Sequence, residues 1–129
     1  MIRSIKDADL IVTKALPAAG ASNSSDTITL GTSVPEELQV ELSVPALPSL
    51  ADTKTATFTF QDSADNSSFA AIPELETLVL TGASGAGAAA ATRTVSLPPS
   101  VRKYLNVGCA VAGSGGDNTG KSYTVSLKF

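Results

Sequence analysis

Strict alternation of apolar and polar residues near the end of the sequence constrains the fold more than any other feature. Residues 123–129 change face at every position, which is the period of a strand with one buried face. Tyr123, Val125, Leu127 and Phe129 share one face, and Thr124, Ser126 and Lys128 share the other. Residues 37–44 show the same period, and in 53–61 it places three threonines opposite Ala56, Phe58 and Phe60. β-Branched threonines favour the strand conformation.

Proline, glycine, serine and aspartate separate these runs into about seven or eight short strands without a convincing helix, a pattern typical of sandwiches and jelly rolls. The predicted strands are 26–30, 37–44, 53–61, 74–81, 92–97, 104–112 and 123–129. The last two, with apolar faces that include Cys109 and Tyr123, read as a hairpin joined by the glycine loop 113–120. The predicted fold class is all-β, a jelly-roll-like antiparallel β-sandwich with an N-terminal arm.

The distribution of predicted strands divides the sequence into two segments. Residues 1–25 read as an N-terminal arm and linker, or as the first strand of the sandwich, because apolar runs this short do not discriminate. If they form an arm, deletion of 1–17 should leave a folded domain. Residues 26–129 form the sandwich domain. Within it, the alanine and glycine tract 82–91 is expected to be a mobile loop or one ordered only by contact.

One string resembles a nucleotide site by its letters alone. Residues 115–122, Gly-Gly-Asp-Asn-Thr-Gly-Lys-Ser, match the pattern G-x-x-x-x-G-K-[ST]. In a phosphate-binding loop this pattern opens a helix, whose N-terminus and backbone N–H groups cradle the phosphates. Here the residues after Ser122 alternate as a strand. We therefore interpret 115–122 as a flexible glycine turn whose lysine begins the next strand.

Composition excludes several classes of function. The sequence has no histidine and a single cysteine, Cys109, which removes internal disulfides, ordinary zinc sites and histidine-based acid–base chemistry. Cys109 is expected to be a small core residue. A net charge of −3 argues against nucleic-acid binding, and no segment is apolar enough to span a membrane. Only 5% of residues are aromatic, so the core is thin, and burial of further apolar surface against copies of the chain or against a partner is expected.

Carboxylates occur in pairs but not in a pattern that predicts catalysis. The pairs are Glu36 with Glu37, Glu74 with Glu76, and Asp62 with Asp65. Sequence adjacency does not provide two carboxyl groups across a pocket with separated pKa values. The oxygens of Asp62, Asp65 and Asn66 suit calcium chemically, but their spacing matches no established calcium loop. We expect no enzyme activity, no catalytic residues, no cofactor and no metal.

Several turn motifs together resemble a known family. A serine-rich lead enters Asp26-Thr27-Ile28-Thr29-Leu30-Gly31, and a polar turn follows at 62–69. The most specific parts are the corner Leu97-Pro98-Pro99 followed by Arg102-Lys103-Tyr104-Leu105, and the final hairpin with its closing Gly120-Lys121 strand. In this order they look like the small capsid cement, or decoration, proteins of tailed bacteriophages.

The resemblance implies a jelly-roll-like virion protein, made in the host cytoplasm, that binds the outer surface of an expanded head and cements neighbouring capsomers. Its implied partners are the major capsid protein and further copies of itself, as a dimer or trimer. The residues predicted to make these contacts are Ile2, Ile5, Leu10 and Ile11, and the tract 82–91 is a further candidate contact region. The alternative function is a receptor- or carbohydrate-binding sandwich module of a phage tail or fibre, although the sequence offers few of the aromatic residues on which sugars stack.

Overall fold

A computed structural model describes residues 6–29, 39–98 and 101–128, and these residues form ten strands without a helix. In chain order the strands are β1 (Lys6–Ala15), β2 (Ser22–Ser24), β3 (Ile28–Thr29), β4 (Gln39–Val44), β5 (Thr55–Ser63), β6 (Ala70–Ala71), β7 (Leu78–Thr81), β8 (Ala91–Ser96), β9 (Tyr104–Val111) and β10 (Ser122–Lys128). The predicted all-β class is confirmed. Strand β3 lies within the predicted strand 26–30, and its Ile28 is buried as predicted. β1 is the first strand considered as the alternative to an arm. Beyond the predicted set, β2 and β6 have only two or three residues, too few for alternation to be visible.

The strands form two antiparallel sheets. The four-stranded sheet has the order β1-β10-β4-β8. In the six-stranded sheet β9 and β5 pair with each other, β2 and β3 both pair with the outer side of β9, and β6 and β7 both pair with the outer side of β5. When β2 with β3 and β6 with β7 are each counted as one interrupted strand, the eight strand positions form two sheets of four with the strand order of a jelly roll.

The predicted hairpin of the last two strands is wrong. β9 belongs to the six-stranded sheet and β10 to the four-stranded sheet, so the segment between them crosses from one sheet to the other. β10 instead lies between β1 and β4, with Val125 opposite both Val12 and Leu42. Alternation identifies a strand and its buried face but carries no information about which strand lies beside it.

The hydrophobic core fills the space between the sheets. The inward-facing residues that alternation predicted in β4, β5, β9 and β10 are all buried where the structure describes them: Val40, Leu42, Val44, Ala56, Phe58, Phe60, Leu105, Val107, Cys109, Val111, Tyr123, Val125 and Leu127. The predicted inward positions Leu38 and Phe129 lie outside the described residues. The rings of Phe58 and Tyr123 meet edge to face across the core with centroids 5.2 Å apart. Such a pair adds about 1 kcal/mol to the burial of its surface.

The alanine and glycine tract 82–91 is ordered by contact with the segment between β4 and β5. Leu47 and Ala88 exchange two backbone hydrogen bonds of 2.8 and 3.0 Å, and Ala88 is buried. Gly87 has a φ of 65°, and a Cβ there would overlap the carbonyl oxygen of Leu47. Glycine is therefore required at this position both by its backbone conformation and by the close approach. Of the two states expected for the tract, the structure has the one ordered by contact.

Candidate functional site

The proline and basic stretch on which the family resemblance rests forms a compact corner between β8 and β9. We define the corner as residues 97–105, of which Pro99 and Ser100 are not described. The backbone N–H of Val101 donates to the carbonyl of Pro98 at 3.0 Å and closes a turn. Leu97 and Val101 are buried, so the turn is anchored on the core from both sides.

Arg102 fixes this corner to the end of β5 through the carboxylate of Asp62. Its Nε and Nη2 donate to Asp62 Oδ1 at 3.0 and 2.8 Å, and Nη2 also donates to the Asp62 carbonyl at 2.9 Å. The backbone N–H of Arg102 donates to Asp62 Oδ2 at 3.0 Å. Charge-assisted bonds of this kind are stronger than neutral ones. The hydrogen bond with Asp62 raises the pKa of Arg102 further.

No sequence pattern predicts this pair. Residues 62–68 read as a polar turn, whereas β5 extends to Ser63 and the Asp62 side chain is buried at the end of the core. A strand carries a carboxylate inward only where a cation and hydrogen-bond donors compensate its desolvation. The continuing alternation Ala56, Phe58, Phe60, Asp62 would have shown the inward face, but Arg102 lies 40 residues away and no periodicity connects the two.

The turn after β5 is held by its own side chains and offers little to a cation. Asp65 Oδ1 accepts hydrogen bonds from the Ser63 hydroxyl at 2.8 Å and from two backbone N–H groups. Asn66 Oδ1 accepts a bond from the hydroxyl of Thr27 at 2.9 Å, which ties the turn to the segment before β3. With Asp62 bound to Arg102, the three residues considered for calcium direct these oxygens to protein donors.

The loop that resembles a phosphate-binding loop leads into a strand, as predicted. β10 begins at Ser122. The backbone N–H groups of Gly115, Thr119 and Lys121 donate within the loop, to Ala112, Asp117 and Asn118 respectively. A phosphate cradle needs such groups to point at the ligand, and here they are engaged. The hydrogen bonds from the Thr119 hydroxyl and N–H lower the pKa of Asp117.

Asn118 organises this loop from inside the protein. Its side chain is buried, and Nδ2 donates to the carbonyls of Gly115 and Gly116 at 3.2 and 3.5 Å. The sequence alone gives no sign that this asparagine is buried. The loop is therefore a folded connection between the two sheets rather than a flexible glycine linker.

The residues predicted to contact a partner fall on or before the edge strand β1. Ile2 and Ile5 lie outside the described residues, whereas Leu10 and Ile11 lie within β1. Lys6–Ala15 is a strand of the four-stranded sheet that pairs with β10, and Leu16 directly after it is buried. Ile11 is 37% exposed and is opposite Ser126.

A shallow groove crosses the outward face of the six-stranded sheet. It runs over β2, β9 and β5, is open to solvent and has a volume of about 180 Å³. Gly108 forms part of its floor, with Ser24 on one side and Thr59 on the other in the strand register. None of the residues that line it is Asp, Glu, Lys or Arg. No sequence pattern predicts this groove, because it depends on β2 lying beside β9.

The remaining chemical candidates are dispersed. Glu74 and Glu76 are exposed, and Glu36 and Glu37 lie outside the described residues. Cys109 is buried as predicted, and this burial raises the pKa of its thiol to about 12. Within the described ranges no three Cys, Asp or Glu side chains are placed to hold a metal ion. The same residues contain no helix long and apolar enough to cross a membrane.

Family models and curated proteins add nothing to the description of this site. No protein-family model matches the chain, and no curated protein matches it either.

Proposed function

We propose that this chain is a decoration protein that binds the outer surface of an expanded bacteriophage head and cements neighbouring capsomers. The observation that carries the proposal is the corner 97–105. Among the stretches on which the resemblance rests, the described residues of this corner are fixed to β5 by four hydrogen bonds between Arg102 and Asp62. The jelly-roll order of the sheets is also the fold that the resemblance implies.

The proposed partners are the major capsid protein and further copies of the chain. Each copy needs only modest affinity for the shell, because one bound contact raises the effective concentration for the next. A protein that binds the assembled shell but not its separate subunits stabilises the shell by mass action. At a free concentration 100 times Kd, each site contributes about 2.7 kcal/mol.

The edge of β1 is the proposed contact with the shell. Within the described residues β1 pairs on one side only, with β10, so its other side presents backbone groups that can pair with an added strand. Among residues 11–29, 39–98 and 101–127, whose side-chain exposure the structure describes, Ile11 on the outward face of this edge is one of two exposed large apolar residues. The other is Val79 in β7, on the opposite sheet.

The first test is the copy number of the chain relative to the major capsid protein in purified virions, measured by quantitative mass spectrometry. A fixed simple ratio with many copies per head supports the proposal. A handful of copies would instead support the alternative, a binding module of the tail or a fibre. Absence from the particle would exclude a structural virion protein altogether.

The second test compares two matched substitutions for binding to expanded heads that lack the protein. We expect Ile11→Lys to weaken binding about tenfold or more, since it places a charge at a desolvated contact. Val79→Lys makes the same change on the other sheet and should bind like the unsubstituted protein. Equal binding by both variants would exclude the β1 edge as the contact, and failure of the unsubstituted protein to bind would contradict the proposed function.

A further inference from the structure

The groove on the outward face of the six-stranded sheet owes its shape to a missing side chain. Gly108 pairs with Thr59 of β5 and with Ser24 of β2, so larger side chains stand on both sides of a position without a Cβ. The groove is open to solvent and has a volume of about 180 Å³. This is below the roughly 300 Å³ at which sites for drug-sized ligands begin. The groove is the right size for one small ring.

The polar groups around this floor are not used by the protein. The hydroxyls of Ser22, Ser24, Thr57 and Thr59 line the groove together with the amide of Gln61. In the described part of the chain none of these five side chains makes a hydrogen bond, although nearby Ser25 and Ser63 are both engaged. Each hydroxyl can donate and accept, and the amide can do both. The groove therefore presents both kinds of hydrogen-bonding group to a ligand.

The side chain of Gln61 partly covers the floor in this structure. Its Nε2 lies 3.2 Å from the position that a Cβ of Gly108 would occupy. Gln61 is paired with Asn106, whose buried Oδ1 has no hydrogen-bond partner among the described residues. Directly opposite side chains in a sheet are within contact distance of each other. If a ligand displaces the Gln61 amide from Gly108, Oδ1 of Asn106 can accept hydrogen bonds from the N–H groups of Gln61.

Charge and polarity select the class of ligand. Without a Lys or Arg the groove cannot pair with a phosphate or carboxylate, and without an Asp or Glu it cannot hold a cation. An apolar ligand would strip water from the hydroxyls without replacing their hydrogen bonds. A neutral ring with several hydroxyl groups can form hydrogen bonds with the hydroxyls of the groove.

We propose that this groove binds one neutral saccharide unit, an activity separate from attachment to a phage head. The C–H face of the sugar ring would lie on the backbone at Gly108, with its hydroxyls directed to the serines, threonines and Gln61. No aromatic side chain lines the groove, so the ring has no stacking platform. The expected dissociation constant of a single unit is therefore millimolar.

Titration of the isolated protein with neutral monosaccharides tests the proposal. The probes are methyl α-glucopyranoside, methyl β-galactopyranoside and N-acetylglucosamine, each followed by backbone amide shifts in nuclear magnetic resonance spectra. At least one should shift the amides of Gly108 and Thr59 in a saturable manner. If none does so at millimolar concentration, the groove is not a saccharide site.

Two substitutions in the groove and one outside it localise the binding. Gly108→Ala fills the floor, and the atoms nearest to its Cβ would be those at the flexible end of Gln61, so the fold should persist. Thr59→Val removes one hydroxyl at constant shape. Each should weaken binding about tenfold, whereas Thr92→Val on the outward side of the other sheet should change nothing. Binding that survives both groove variants would overturn the proposal, and neither outcome affects the test of head binding.

Discussion

At the scale of single residues, Asp65 shows how one carboxylate can hold a whole turn. Its Oδ1 accepts bonds from the backbone N–H groups of Ser68 and Ser67 at 3.0 and 2.9 Å and from the Ser63 hydroxyl at 2.8 Å. These bonds, led by the one from Ser68, lower the pKa of Asp65 from 3.8 to about 2. The turn allows Asn66 to adopt a φ of 59° and to reach Thr27.

The lowered pKa makes this turn sensitive to acid. Because the folded state holds the carboxylate ionised more strongly than the unfolded chain does, its contribution to stability is complete above about pH 4 and is lost as the pH falls towards about 2. We expect Asp65→Asn to lower the urea midpoint at neutral pH and to reduce the loss of stability in acid. Urea unfolding at neutral pH and near pH 3 measures both effects.

The exposed Glu74 provides the control for this measurement. Glu74→Gln removes a carboxylate from the loop between β6 and β7 without disturbing the bonds of Asp65. If the Asp65 and Glu74 variants behave alike across the pH range, the turn does not depend on the ionised Asp65.

At the scale of elements, β1 is continuous with the core. It pairs with β10 from Ile11 to Ala15, and Leu16, which follows it, donates its backbone N–H to the Lys121 carbonyl at 2.9 Å and is 2% exposed. Val12 packs against the core from the same strand. The segment 6–17 therefore contributes both hydrogen bonds and buried surface to the four-stranded sheet.

We expect deletion of residues 1–17 to destroy the cooperative fold, contrary to the expectation for a detachable arm. Loss of β1 would leave β10 as a bare edge, and loss of Leu16 would open the core. A buried leucine truncated to alanine alone costs about 2–5 kcal/mol, a large part of the stability of a small domain. Circular dichroism and size-exclusion chromatography of the deletion variant would show aggregation or unfolding. A soluble, monomeric variant with an intact β spectrum would contradict this expectation.

The sequence determines the elements of this fold better than their arrangement. Alternation located β4, β5, β9 and β10 and their buried faces, because side-chain burial has the same period as the pleat. It missed β2 because Ser22–Ser24 has no apolar residue to mark a face, yet β2 is held by partners distant in sequence. Neighbouring strands in a jelly roll come from distant segments, so their pairing leaves no local pattern.

At the scale of the whole molecule, the core contains two groups that resist ionisation. Cys109 and Tyr123 are almost fully inaccessible, on inward faces of different sheets. Burial raises the pKa of Cys109 from 9.0 to about 12 and also raises that of Tyr123, whose hydroxyl donates to Asn23 Oδ1 at 2.9 Å. Both groups therefore favour the folded state only while they are protonated.

The free energy of unfolding should consequently fall at alkaline pH, before the Cys109 thiol ionises in the folded protein. The unfolded chain releases the Cys109 proton near pH 9 and the folded chain only near pH 12, so the unfolding free energy falls across that interval. At about pH 10 the loss from this one thiol is about 1 kcal/mol. Urea unfolding at neutral pH and near pH 10 should show a smaller loss in Cys109→Ala. An equal loss in both proteins would mean that the thiol does not contribute.

The candidate sites depend on the whole fold as well. The sequence contains the corner 97–105 as a recognisable pattern, and the structure adds Asp62 as its anchor. The groove could not be predicted, because Ser24, Gly108 and Thr59 become neighbours only through the pairing of β2, β9 and β5. Local sequence patterns do not show which distant residues become neighbours when the chain crosses between the sheets.

The pairing of β1 with β10 also governs when the protein can fold. Thr13 and Thr124 face each other across these strands although they are 111 residues apart. At a synthesis rate of about 5–20 residues per second, the earliest strand waits roughly 6–20 seconds on the ribosome for its neighbour. Folding dominated by such distant pairings is also slow, on a scale of milliseconds to seconds. The four-stranded sheet is therefore completed only after β10 has been synthesised, and chains interrupted before that point would expose an unpaired β1.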